Sequence, residues 1–243
     1  MRIEVTFNCD KGAKIDFNYN HNLSRLIMES LFDNKSAMFH KGKPFKYYTF
    51  SQLYFSHYEI SGDKIVNLGE EVHWYVSSPN PFFIDGLVKG LTKMGCYPMG
   101  QGEFEFKQVR ILDDPEFTND MEFTCMSPIT ISSMGRGAKR ELYCRIENKC
   151  FVENLRYDLV QKYYYLYNSF PKNERLEIIF DKNYLENKKR TSRLIDYNGV
   201  KVLGYMVPFV VKGSPDLIRV GYSCGFGERN NNGFGMVKVW HRS

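Results

Sequence analysis

The sequence predicts an α+β protein whose first 115 residues run β-α-β-β-α-β, the ferredoxin-like order. Three observations carry that expectation. Apolar alternation marks residues 1–7 and 103–111, and apolar stripes at helical spacing occupy residues 23–31 and 83–94. Asp113-Asp114-Pro115 then breaks the pattern before a second series of elements begins.

Taken in order, Ile3, Val5 and Phe7 fall on one face and predict a first strand. Asn22 stands where it can cap a helix whose buried stripe is Leu23, Leu26, Ile27 and Leu31. Phe45 to Phe55 is rich in aromatic and β-branched residues and reads as the second strand. Lys64 to Ser77 continues as extended chain through Val72, Trp74 and Val76. Pro81 suits the first turn of a helix bearing Phe83, Ile84, Leu87, Val88, Leu91 and Met94, closed by Gly95. Residues 103–111 complete the unit as a half-buried strand.

The second series starts near Met121. Glu122 to Ser132 reads as a strand interrupted at Pro128. Residues 152–170 read as a helix burying Val152, Leu155, Leu159, Tyr163, Leu166 and Phe170. Leu176 to Phe180, Val200 to Lys212 and Leu217 to Val220 all read as extended, followed by a glycine loop and a last strand from Met236 to Trp240. No second helix is evident, so this half repeats the first only approximately.

The 243 residues, 43% of them hydrophobic, can bury one large core or two smaller ones. No apolar run approaches the roughly 20 residues needed to cross a bilayer, and the chain opens directly into a strand, so the expected location is the cytoplasm. Six scattered cysteines with no Cys-x-x-Cys pair, and no paired-histidine spacing, argue against a zinc site or a disulfide framework; neither metal nor cofactor is expected. The net charge of +5 is unevenly spread. Residues 1–120 carry 13 Lys and Arg against 16 Asp and Glu; residues 121–243 carry 20 against 12. A basic second half rich in arginine and aromatics is the electrostatic footprint of a nucleic-acid face.

Two Gly-Phe-Gly triplets, 225–227 and 233–235, flank a polar segment bearing Arg229. Glycines there let another backbone approach, and exposed N–H groups in such a turn can form an anion-binding nest. A glycine hairpin without a ligand is the plain alternative. No Gly-Lys-Ser/Thr follows, so this is not a nucleotide-binding P-loop.

The run Gly221 to Gly235, with Gly213 to Ile218 before it, resembles the C-terminal glycine-rich signature of the CRISPR repeat-processing endoribonucleases, members of the repeat-associated RNA-binding superfamily. Phe123 to Ile129, and His40 followed by Phe45-Lys46-Tyr47-Tyr48-Thr49-Phe50-Ser51, resemble further blocks of the same family. The three blocks in order span nearly the whole chain. The resemblance implies two tandem ferredoxin-like (RRM-like) domains, residues 1–115 and 120–243, the second irregular. It implies metal-independent cleavage of CRISPR precursor RNA within its repeats, by attack of a ribose 2′-hydroxyl on the adjacent phosphate, leaving 2′,3′-cyclic phosphate and 5′-hydroxyl ends. His40, in a loop with three lysines nearby, would be the general acid or base. Lys46, or else Lys41 or Lys43, would stabilise the phosphorane. Some relatives carry a catalytic tyrosine on the first helix, where this chain has Met28; Tyr19 and Tyr47 stand nearby, but no tyrosine is assigned to the reaction.

The remaining candidates follow from residue type. Arg136, Lys139 and Arg140, in a basic glycine loop, and Arg229 with Gly225, Gly227, Gly233 and Gly235 are candidate RNA contacts. Lys188 to Arg193 is a second basic run, equally read as a solvated turn. His21 is a second candidate acid or base; His57 and His73 read as structural, and His241 as a fraying end. Tyr163 to Tyr167 resembles a base-stacking platform, but its helical spacing favours core. The implied partners are CRISPR repeat RNA, subunits of an interference complex and a second copy of the chain, with no membrane. The alternative function is a non-catalytic RNA-binding subunit of such a complex.

Overall fold

The computed structural model describes residues 1–31, 46–133, 143–188 and 190–240. Its first half forms β1 (Arg2–Cys9), β2 (Lys14–Asp16), α1 (Asn20–Ser30), β3 (Thr49–Phe50), β4 (Tyr54–Phe55), β5 (Tyr58–Ser61), β6 (Lys64–Asn67), β7 (Glu71–Ser77), α2 (Pro81–Met94), β8 (Cys96–Met99) and β9 (Gly102–Leu112). The main sheet is antiparallel with order β3-β7-β1-β9-β8, and β4 also pairs with β7. Val5 on the central strand lies opposite Trp74 on one side and Val109 on the other. Alternation puts Ile3, Val5 and Phe7 on the face that packs with Leu23, Leu26 and Ile27 of α1 and with Leu87 and Leu91 of α2.

The second half forms β10 (Asp120–Cys125), α3 (Lys149–Tyr167), β11 (Leu176–Phe180), α4 (Lys182–Asn187), β12 (Ser192–Tyr197), β13 (Val200–Tyr205), β14 (Phe209–Gly213), α5 (Pro215–Cys224) and β15 (Val237–Val239). Its antiparallel sheet has order β11-β14-β10-β15. Phe123, Phe209 and Val211 from that sheet pack with Leu155 and Leu159 of α3 and with Leu217 and Ile218 of α5. The β12–β13 hairpin stands apart as a two-stranded sheet. No described helix is long and apolar enough to cross a membrane.

Several elements differ from expectation for identifiable reasons. Leu217 to Val220 belongs to a helix: Pro215 fills its first turn, the Ser214 hydroxyl accepts from the Leu217 amide, and Asp216 sits at the positive end of the dipole. Asn22 lies inside α1, which starts at Asn20. Lys64 to Ser77 is two strands, because Asn67 turns the chain by bonding to the carbonyls of Cys9 and Gly69. Between Phe45, which lies outside the described residues, and Phe55 only two short strands form. The Gln52 amide in the gap donates to Met126 O, and the Leu53 amide to the Tyr19 hydroxyl. Asn168, left-handed at φ 54°, ends α3 before Phe170, which is exposed. The helix predicted from Pro81 to Gly95 forms as α2, and the structure adds its cap: the Asn80 side chain accepts from the Phe82 amide.

Candidate functional site

The chain leaves α5 through Gly225, forms a short 3-10 turn at Asn230–Asn232, and enters β15 after Gly235. Apolar anchors hold this loop: Phe226 and Phe234 are wholly buried. Its knot is the buried Asn230, whose side-chain amide donates to Phe234 O at 3.0 Å and Phe226 O at 3.5 Å. That amide leaves no room beside Gly235, where φ is 78° and an added Cβ would stand 2.1 Å from Phe226 O. At Gly233, φ 83°, an added Cβ would meet the Phe50 ring at 2.5 Å and the Asn20 amide at 2.6 Å.

Both halves of the chain grip the loop. From the first half, Asn20 Nδ2 donates to Asn232 O at 3.0 Å and Gly233 O at 3.2 Å, Ser24 Oγ to Asn231 O at 3.2 Å, and Thr49 Oγ1 to Phe234 O at 2.9 Å. From the second half, the Lys162 ammonium donates to Gly225 O at 2.8 Å and Gly227 O at 2.5 Å, and pairs with Asp158 at 2.6 Å. Lys162 and Asp158 are both buried, 2% and 7% exposed. Two of the Lys162 donors meet carbonyls and the Asp158 carboxylate supplies the opposite charge, which is what makes a buried ammonium tolerable. The Glu228 carboxylate accepts from the Ser132 amide and hydroxyl at 3.2 and 2.9 Å.

Arg2 extends the seam. Its guanidinium donates to Tyr222 O and Val237 O at 2.7 and 2.6 Å, and lies 3.6 Å from the centre of the Tyr222 ring. Burial pushes its pKa down to about 10.

Three of the four glycine amides have protein partners. Gly225, Gly233 and Gly235 donate to Gly221 O, Asn230 O and Pro128 O respectively, and the glycines themselves are buried. The described loop is therefore a packed joint, and its exposed chemistry lies at the partly exposed Glu228, Arg229, Asn231 and Asn232.

Lys46 is exposed, three residues ahead of Thr49. Its neighbours fix the backbone there: Tyr47 O accepts from Ser78 Oγ, and the Tyr48 ring stacks on Phe83. His40, Lys41 and Lys43, and likewise Arg136, Lys139 and Arg140, lie outside the described residues. The joint nonetheless contacts the described chain on which both segments end: Thr49 bonds to the loop just beyond Lys46, and Ser132 bonds to Glu228.

Tyr19 is buried, accepts from the Leu53 amide, and has its pKa raised by that burial. His21 Nδ1 lies 3.0 Å from Asn18 O at the start of α1. His73 sits among Thr6, Glu4 and Glu71 in a polar network on the open face of the first sheet. Sequence reasoning missed Lys162, Asp158, Asn20, Asn230 and Arg2. A usable signal was present for two of them: Asp158 and Lys162 are an i, i+4 charge pair beside an apolar stripe.

Two family descriptions match successive parts of this chain: "CRISPR-associated protein Cas6, N-terminal" matches residues 14–110, and "CRISPR associated protein Cas6, C-terminal" matches residues 112–239. The chain belongs to the Cas6 family. The CRISPR-associated endoribonuclease Cas6 1 of Methanocaldococcus jannaschii is 32% identical over 98% of this chain and 92% of that protein. A solved structure described as CRISPR associated protein Cas6 superposes with a TM-score of 0.83 at 30% identity, covering 99% of each chain. Another, of a RAMP protein binding different RNA substrates, gives a TM-score of 0.87 at 25% identity over 99% of this chain and 100% of that one. The glycine-loop joint and the Lys46–Ser51 segment both lie within the matched regions of this Cas6 chain.

Proposed function

We propose that this chain is an endoribonuclease that cuts CRISPR precursor transcripts within each repeat and releases guide RNA. It consists of two ferredoxin-like domains, residues 1–115 and 120–243. The strand orders support this: in each half the second strand of the β-α-β-β-α-β series lies outermost on one side, next to the third, with the first beside the fourth. Insertion of α4 and the β12–β13 hairpin makes the second unit irregular.

The RNA brings its own nucleophile. A 2′-oxygen attacks the adjacent phosphorus, the 5′-oxygen leaves, and the ends are a 2′,3′-cyclic phosphate and a 5′-hydroxyl, with no metal required. The protein must align these oxygens, move protons and balance the charge that develops on phosphorus. His40 is the proton-transfer group and Lys46 the phosphorane-stabilising cation. Arg136, Lys139, Arg140 and Arg229 meet backbone phosphates, and Gly225, Gly227, Gly233 and Gly235 shape the loop that presents Arg229. One observation carries the reading: Asn20 and Thr49 tie the glycine loop to α1 and to the strand that begins three residues after Lys46. One bound repeat can therefore touch both. The product passes to subunits of an interference complex in the cytoplasm, and a second copy of the chain is a further partner.

The test is cleavage of repeat RNA in EDTA by wild type and His40→Ala, with a parallel RNA 2′-deoxy at the cut site. Metal-free cutting lost with either change is expected. Cutting that survives His40→Ala moves the proton transfer elsewhere, with His21 next. Tight binding without any cutting by wild type would make the chain an RNA-binding subunit instead.

A further inference from the structure

The six cysteines of this chain are free thiols, but two of them are neighbours. Cys150 Sγ lies 2.8 Å from Cys144 Sγ and donates its proton to it. Cys150 is the second residue of α3 and partly exposed, whereas Cys144 is buried. The surroundings fix this meeting. The Cys144 amide donates to Ile131 O at 2.8 Å, and the preceding Tyr143 bridges to Ser132. Asn154, one turn along α3 from Cys150, donates to Ser132 O at 3.0 Å and reaches to 3.9 Å from Cys144 Sγ. Ser132 is the residue that Glu228 of the glycine loop holds. Two thiols on separately anchored segments are thus pre-aligned beside the joint.

We propose that Cys144 and Cys150 are a redox modification site, closed to a disulfide by a low-molecular-weight disulfide such as oxidised glutathione. The partly exposed Cys150 thiolate attacks one sulfur of the oxidant, forming a mixed disulfide and expelling one thiolate. Cys144 then attacks Cys150 Sγ, and the second small thiolate leaves. The two cysteine protons end on the two released thiols, and the oxidant is reduced by two electrons. Burial pushes the Cys144 thiol up to about 12, so it is a poor first nucleophile at neutral pH. Its attack is intramolecular, and proximity offsets that handicap. The closed ring clasps the β10–α3 connection to the first turn of α3, a different chemistry from RNA cleavage and independent of it.

The test uses the full chain incubated with oxidised glutathione, alkylated in denaturant and digested with trypsin without reduction. Cleavage after Arg145 and Lys149 separates the two cysteines, so the disulfide appears as residues 141–145 linked to residues 150–156. Six alkylatable thiols before treatment and four after are expected. Closing so short a ring raises Tm by about 5–10 °C, reversed by dithiothreitol and absent in Cys150→Ser, a partly exposed change that leaves the core intact. Six thiols after treatment, a linkage between other cysteines, glutathione retained on Cys150, or an unmoved Tm would each overturn the proposal.

Discussion

Replacing Lys162 with methionine removes the cation that the joint is built around while keeping the length of the side chain. Three interactions go at once: the Asp158 ion pair and the bonds to Gly225 O and Gly227 O. Breaking a buried pair by deleting one partner costs about 3–5 kcal/mol, because the other charge loses its counter-ion. Each orphaned carbonyl adds up to about 1–3 kcal/mol where water cannot reach it. These terms overlap, and the ion pair alone sets a floor of about 3 kcal/mol. At about 2–4 °C per kcal/mol for a chain of this size, Tm falls by at least about 6 °C. A double variant, Lys162→Met with Asp158→Leu, removes the buried carboxylate as well and recovers part of the loss. Thermal melts of the three proteins decide the matter. A single variant within about 1 kcal/mol of wild type would refute the reasoning, and so would a double variant no better than the single one.

Two further outcomes follow from the same structure. Gly235→Ala should cost more than about 2 kcal/mol, combining positive φ with a Cβ pressed on Phe226 O; Gly12→Ala, at φ 87° with open space around it, is the control that should cost only the strain, and urea unfolding separates them. Burial pushes the Cys9 thiol up to about 11 and those of Cys125 and Cys224 up to about 12. Unfolded thiols release their protons near pH 8.5. Between there and pH 11 the unfolded chain binds fewer protons than the folded one, so stability falls as pH rises. The lowered pKa of Arg2 opposes this only above pH 10. The urea midpoint under reducing agent should therefore drop from pH 7.5 to pH 10, and a flat midpoint would contradict the burial of these thiols.

Much of the first half was legible because its signals are local. Alternation in β1 and β9, and the Pro81…Gly95 frame of α2, need no knowledge of the rest of the chain. α5 was misread because Leu217, Ile218 and Val220 fit a short strand as well as a helix, and only the Ser214–Pro215 start separates the two. The glycine loop was visible as a site but not as a joint. Its glycines meet Asn20, Phe50 and Asn230 across up to 213 positions of sequence, and no periodicity encodes such a contact. Lys162 was hidden for a related reason: its acceptors are main-chain carbonyls, which every residue possesses, so nothing in the sequence names them.

The reach of Arg2 bears on how the molecule is made. The guanidinium of the second residue donates to carbonyls at positions 222 and 237. During synthesis the earliest strand therefore waits for almost the last one, and its buried charge has no acceptors until then. Contacts of such long sequence separation slow folding, and they expose surface while they are pending. A nascent chain stalled before residue 220 would hold Asn20, Ser24 and Thr49 in the same unfinished condition, since their acceptors also come from the final stretch. RNA-binding competence would thus arrive in one late step, once residues 222–237 have been made.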